Sequence, residues 1–197
     1  NTGATGQSAN YKVDTVAPTV SSITFADTAL KAGETSLVTI VFSEAVTGFA
    51  NADLSIASGT MTAVQNGAGD GITWTSTFTP AADTDDNTNV LGIAANSYTD
   101  TLGNNGGSGT SSNYVVETLR PTLTMSIASS NNVNTLAKSG DTVTLTITAS
   151  ESVTNLVCTI DEEATTMGGS GTSWTSELTL SGDETEGTLA VSCASFE

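Results

Sequence analysis

Histidine is absent from the sequence, and several other residue types are scarce. Without histidine, the chain cannot form a Ser-His-Asp or Cys-His catalytic arrangement or a histidine-based zinc site from its own residues. Aromatic residues make up only 5% of the 197 residues, so no sugar-stacking platform is expected. No apolar run approaches 18 residues, and therefore no segment is predicted to span a membrane.

Basic residues are also few, because 4 Lys and Arg stand against 21 Asp and Glu, giving a formal net charge of -17. A surface this acidic repels nucleic acid and anionic lipid headgroups. We therefore expect no nucleic-acid partner and no direct insertion into a membrane. The charge instead suits calcium, cationic partners or solubility in a salty medium.

The sequence repeats itself with a period near 100 residues. Three ordered blocks recur: NYKVDTVAPT at 10–19 with NYVVETLRPT at 113–122, KAGETSLVTIVFSEAVT at 31–47 with KSGDTVTLTITASESVT at 138–154, and GITWTSTF at 71–78 with GTSWTSEL at 171–178. This period matches one β-sandwich domain. The repeat predicts a terminal strand of a preceding repeat at 1–13, a complete repeat at 14–116, and a repeat lacking its last strand at 117–197.

Within each repeat, short alternating or β-branched runs predict strands, and Gly, Asn and Asp clusters predict the turns between them. Examples are VSSITF at 20–25, LVTIVF at 37–42 and VTLTI at 143–147. No stretch has a convincing helical period. The pattern predicts an all-β fold of tandem immunoglobulin-like sandwiches with about seven strands each.

The spare strand at the start and the strand missing from the second repeat have two explanations. The simpler and favoured one is that the chain is part of a longer protein, since it does not begin with Met and shows no signal peptide. The other is that residues 1–13 of a neighbouring copy fill the gap by strand addition, which would give a polymer.

Several short motifs resemble the bacterial Ig-like repeats of giant surface adhesins and biofilm proteins: DTVAPT at 14–19, SEAVT at 43–47, FANADL at 49–54, GITW at 71–74, TPAAD at 79–83 and DTLGN at 100–104. The resemblance implies sandwiches used in series, outside the cell or at its surface, with neighbouring repeats as partners. The expected role is a structural segment of an adhesin, stalk or filament that acts as a spacer or assembly module. The alternative is a carbohydrate- or protein-binding module, with its ligand at the loops 66–71 and 164–171.

Two groups of oxygen-bearing side chains are candidates for Ca²⁺, the one cofactor considered. Asp83, Asp85 and Asp86 lie close together in the sequence. The alternative for this stretch is a solvated hairpin loop without an ion. In addition, the resemblance to repeats that bind calcium at domain junctions suggests a set of six residues: Asp14, Glu44, Asp100, Asn104, Glu117 and Glu151. Glu44 and Glu151 are expected to follow a strand in each repeat. The alternative for Asp100 and Asn104 is a turn closed by the aspartate side chain.

Cys158 and Cys193 align with Ile56 and Ala95 of the first repeat, so both are expected to face the core. A disulfide between opposed strands is one interpretation, and two buried free thiols are the other. Catalysis is not expected. An acidic pair such as Glu162 and Glu163 lacks a sugar cleft, and Trp74 and Trp174 recur at matched strand positions that favour core packing.

Overall fold

The computed structural model describes Gly6 and residues 9–184 and 186–194, and it divides the chain into two compact units, 1–119 and 120–197. The predicted leading strand at 1–13 is thus described only at Gly6 and 9–13. Among the described residues, no helix is long and apolar enough to cross a membrane.

The described residues of unit 1 form short strands and one 3-10 turn at Asn51–Asp53. Its strands are β1 Val20–Phe25, β2 Ala29–Lys31, β3 Ser36–Phe42, β4 Val46–Thr47, β5 Leu54–Ser55, β6 Gly59–Met61, β7 Thr73–Pro80, β8 Asp85–Asn89, β9 Gly92–Ile93, β10 Thr99–Asp100, β11 Gly109–Thr110 and β12 Tyr114–Glu117. Unit 2 contains β13 Leu123–Ser129, β14 Thr142–Val153, β15 Val157–Ile160, β16 Glu163–Ala164, β17 Thr166–Thr179 and β18 Val191–Ala194.

Unit 1 is a sandwich of two layers. One layer is the antiparallel sheet β1-β3-β7-β6, and the other is built from the groups β2-β12-β8, β11-β9-β5 and β10-β4. Residues alternate in burial along β3, as expected when successive side chains point to opposite faces of a sheet. The last strand, β12, lies between β2, to which it is parallel, and β8, to which it is antiparallel.

Aromatic side chains join the two layers of unit 1. The ring of Tyr114 on β12 stacks on Phe25 of β1 at 4.5 Å and meets Phe78 of β7 edge-on at 5.1 Å. Tyr114 is fully buried, and its hydroxyl donates a hydrogen bond to the carbonyl oxygen of Ala57. The final strand therefore supplies central core residues of this sandwich.

Unit 2 repeats the arrangement with two smaller sheets, β13-β14-β17 and β16-β15-β18. Its core combines Leu145 and Ile147 of β14 with Cys158 and Ile160 of β15. β13 is mostly exposed, in contrast to β1, where Ile23 is buried. The all-β sandwich prediction is confirmed.

Three local predictions were wrong. The acidic stretch at 83–87 was expected to be a hairpin loop, but only residues 83 and 84 lie outside a strand, because residues 85–89 form β8, which pairs with β12 and completes the second layer. Glu151 does not follow a strand but lies within β14, which continues to Val153. The expected ligand loop at 164–171 is mostly strand, since β16 and the long β17 take up most of it.

Candidate metal centre

The turn at 100–104 forms the most buried part of the centre. Asp100 ends β10 and is only 3% exposed. Its Oδ1 accepts hydrogen bonds from the backbone N–H groups of Leu102 (2.8 Å) and Asn104 (2.9 Å), and its Oδ2 accepts one from Asn104 Nδ2 at 2.7 Å. Gly103 has φ of 93°, a conformation that favours glycine. The turn predicted as the alternative for this motif is therefore present.

These hydrogen bonds also fix the charge of the turn. The bond from the Asn104 side chain, helped by the backbone N–H groups, holds the pKa of Asp100 below its ordinary value although burial opposes this. Asp100 is thus an anion at neutral pH. A buried anion of this kind presents a fixed negative charge at the end of the sandwich.

The segment leading into the sandwich passes beside this turn. Asn104 Nδ2 donates a second hydrogen bond, 3.1 Å long, to the main-chain oxygen of Asp14, and Asp14 Oδ1 accepts one from the N–H of Val16. The motif alone gave no sign of this backbone contact, because a sequence pattern does not reveal where main-chain oxygens point. The leading segment is thus attached to the turn through one amide.

Glu44 lies in the turn that follows β3. Reciprocal hydrogen bonds hold that turn: Ser43 N–H donates to the Thr19 carbonyl oxygen, and Thr19 N–H donates to Ser43 Oγ, both at 2.9 Å. Asp14, Glu44 and Asp100 each bring one carboxylate oxygen into a group whose members all lie within 4.8 Å of one another. Asp14 and Glu44 are half-buried.

The donor set fits a hard cation. Three carboxylates at this separation repel one another, and among the described residues no lysine or arginine pairs with them. Ca²⁺ takes six to eight oxygen ligands, including carboxylates and backbone carbonyls. The chain offers no histidine, and both cysteines are in a disulfide, so the soft ligands that zinc and copper prefer are missing.

The remaining predicted ligands lie elsewhere. Asp83 is in the turn before β8, and Asp85 and Asp86 are neighbours within that strand, so their side chains point to opposite faces. Asp86 accepts a 2.7 Å hydrogen bond from Ser58. Glu117 ends β12 in unit 1, whereas Glu151 is in unit 2. In the described part of the chain, these five residues do not form a metal-binding group of three.

The structure contains the Cys158–Cys193 disulfide. The two residues are direct cross-strand partners on β15 and β18, with Cα atoms 4.1 Å apart. Cys158 is buried, whereas Cys193 is only partly buried. The bond therefore connects two neighbouring strands of one sheet of unit 2.

The two tryptophans occupy matched structural positions. Trp74 pairs with Ile40, and Trp174 pairs with Ile147. Each indole N–H donates to the carbonyl oxygen of the glycine three residues earlier, Gly71 or Gly171. Both rings pack against the core of their own unit. Packing against the core thus accounts for their repetition.

A model of the bacterial Ig-like domain family matches residues 14–116, more than half of the chain. The matched range has the same bounds as the complete repeat found in the sequence. Among curated proteins, none matches the chain. Domains of this family are commonly found in extracellular and surface proteins, and they are typically not enzymes. Sequence motifs, sandwich fold and family match agree, and the chain belongs to the bacterial Ig-like domain family.

Proposed function

We propose that this chain is a structural segment of an extracellular adhesin, stalk or filament, in which Ig-like units in series act as spacers. We further propose that Asp14, Glu44 and Asp100 bind Ca²⁺ and thereby stiffen the segment that leads into unit 1. The observation that carries the proposal is the grouping of these carboxylates at the point where that segment meets the sandwich.

The physical argument is that a cation at this position would join three separate parts of the chain. Asp14 belongs to the leading segment, Glu44 follows β3 and Asp100 ends β10. Without an ion, one amide hydrogen bond from Asn104 holds the leading segment to the turn. An ion would replace repulsion among three carboxylates with attraction, so it would stabilise the folded unit and restrict the segment together.

The experiment is thermal unfolding of unit 1 with Ca²⁺ and with EDTA. Binding to the folded state alone stabilises it by about 2.7 kcal/mol when the free ion is at 100 times its Kd. For a domain of about 100 residues, this corresponds to a rise in Tm of roughly 10–20 °C. The measurement is repeated with Mg²⁺ to test whether the site prefers Ca²⁺, the larger of the two ions.

The matched variants are Glu44→Gln and Asp85→Asn. Glu44→Gln removes one proposed ligand charge, so we expect most of the calcium-dependent shift to disappear. Asp85 is an exposed carboxylate on β8 outside the group, and its variant should respond to calcium like the unmodified chain. Equal melting curves in Ca²⁺ and EDTA would remove the metal from the proposal.

A further inference from the structure

The sequence contains three dipeptides in which an Asn or Asp residue precedes glycine: Asn66-Gly67, Asp70-Gly71 and Asn105-Gly106. In such a pair, the backbone nitrogen of the glycine can attack the side-chain carbonyl carbon of the residue before it. Glycine permits this approach because it has no side chain in the way. The sequence does not separate the three pairs, but the structure gives each a different environment.

The pair Asn105-Gly106 is held by main-chain hydrogen bonds. The N–H of Gly106 donates to the carbonyl oxygen of Tyr98 at 2.8 Å, and the carbonyl oxygen of Gly106 accepts from the N–H of Asn96, also at 2.8 Å. Gly106 is buried, and Asn105 forms a β-bridge with Thr99. The attacking nitrogen is thus engaged, and it reaches the Asn105 side chain only when this part of unit 1 opens locally.

Asp70 is protected by its charge. Its Oδ1 accepts hydrogen bonds from the backbone N–H groups of Thr73 at 3.0 Å and Ile72 at 2.8 Å, and these bonds hold the pKa of Asp70 below its ordinary value. A carboxyl group must be protonated to react with the glycine nitrogen, because the carboxylate repels the nucleophile and releases no neutral leaving group. The ionised side chain of Asp70 is therefore unreactive at neutral pH.

Neither restraint is found at Asn66-Gly67, which lies in the loop after the β-bridge between Gln65 and Thr75. Gly67 is exposed, and in the described part of the chain no group accepts a hydrogen bond from its N–H. The Oδ1 of Asn66 is buried without a hydrogen-bond partner, which is an unfavourable arrangement. The amide therefore loses no hydrogen bond at this oxygen when it turns toward the Gly67 nitrogen.

We propose that Asn66 is a site of spontaneous deamidation and that the fold protects Asn105 from the same reaction. The Gly67 nitrogen loses its proton to solvent and forms a bond to Asn66 Cγ, while the bond from Cγ to Nδ2 breaks and ammonia leaves. Water then opens the resulting cyclic imide at either carbonyl carbon, which gives aspartate or isoaspartate. The reaction consumes water and requires no oxidant, cofactor or enzyme.

The modification changes the loop 66–71, the first of the two loops considered for ligand binding. Either product replaces a neutral amide with a carboxylate, so the loop gains a negative charge in addition to that of Asp70. Isoaspartate also inserts an extra carbon atom into the main chain. The charge and backbone of this loop thus change as the protein ages. The reaction does not require calcium, and the melting experiment above can succeed or fail independently of it.

Incubation of the full chain in water labelled with heavy oxygen, at mildly alkaline pH, tests the site. Cleavage after aromatic residues gives separate peptides 50–74 and 99–114, and fragment masses then locate the incorporated label. In the folded chain, Asn66 should deamidate at least about tenfold faster than Asn105. In urea, where the N–H groups of both glycines are free, the two rates should be similar, because the protection of Asn105 belongs to the fold.

Gly67→Ala is the matched variant. A Cβ atom at this position would have no other atom within 4 Å, so the variant should keep the fold, which circular dichroism checks. The added methyl group hinders the attack, and deamidation of Asn66 should slow at least about tenfold while that of Asn105 is unchanged. Equal rates at Asn66 and Asn105 in the folded chain, or an Asn66 rate that Gly67→Ala does not alter, would overturn the proposal.

Discussion

At the scale of single residues, Asp100 both holds the turn at 100–104 and is one of the three proposed Ca²⁺ ligands. Its carboxylate is buried and accepts hydrogen bonds from Leu102 and from both nitrogens of Asn104. These bonds favour the ionised form, so the pKa of Asp100 is lower in the folded chain than the ordinary aspartate value. A group of this kind stabilises the folded state above its unfolded pKa, and that contribution is lost as pH falls through the folded pKa.

We therefore expect the free energy of unfolding of unit 1, in EDTA, to fall as the pH drops below about 4, the ordinary range of aspartate. Asp100→Asn should lower stability at neutral pH and make the acid dependence shallower, because the amide cannot be protonated in this range. Urea unfolding at a series of pH values measures both effects. If the variant and the unmodified chain lose stability equally between neutral and acid pH, the stabilising role of the Asp100 charge is wrong.

At the scale of elements, the disulfide connects β15 and β18, which are neighbouring strands of one sheet of unit 2. The two cysteines are 35 residues apart in sequence. A cross-link of this span reduces the freedom of the unfolded chain, which in the chain-entropy model contributes about 3–4 kcal/mol. Unit 2 has a smaller buried core than unit 1, so this contribution is a larger part of its stability.

Cys158→Ala/Cys193→Ala should therefore lower the free energy of unfolding of unit 2 by about 3–4 kcal/mol. The measurement uses a Trp74→Phe background, in which Trp174 is the one tryptophan and reports unit 2. The unmodified cysteines under reducing conditions serve as the control and should give a similar loss. Unchanged stability in both cases would contradict the stabilising role of the bond.

At the scale of the whole molecule, the two units differ in how their cores are built. All the ring contacts found in the described part of the chain belong to unit 1, where they involve Phe25, Phe42, Phe49, Trp74, Phe78, Tyr98 and Tyr114. Among its described residues, the core of unit 2 consists mainly of aliphatic side chains and the Cys158–Cys193 disulfide, with Trp174 packed against it. Because each unit has its own core, a change in one should leave the stability of the other unaltered.

Gly106→Ala tests this independence. A Cβ atom at Gly106 would overlap the Tyr98 ring, which is 1% exposed and has no room to move, so unit 1 should lose about 1–3 kcal/mol. Gly107→Ala is the adjacent control, because the nearest atom to its Cβ would be 3.9 Å away. Tryptophan fluorescence reports the unfolding of unit 1 in a Trp174→Phe background and that of unit 2 in a Trp74→Phe background. A loss of similar size in unit 2 would contradict independent folding.

Much of the architecture was predictable from the sequence. The repeat, the main alternating strands and the matched tryptophans depend on local chemistry and on comparison of the chain with itself, and neither requires coordinates. The strand at 85–89 was missed because its Asp and Asn residues favour turns locally. Its state is set by pairing with β12, which is separated from it by more than twenty residues.

The sequence by itself determined the fold class, the repeat period and the acidic charge, because these follow from residue patterns and composition. It proposed nine metal ligands in two groups, without showing which of them lie close together. Only the tertiary structure grouped Asp14, Glu44 and Asp100, since turns far apart in sequence meet at one end of the sandwich. Likewise, only the structure distinguished Tyr11 from Tyr114, because similar sequence segments differ in burial according to their pairing: Tyr114 lies in β12 between β2 and β8, whereas Tyr11 lies outside the strands.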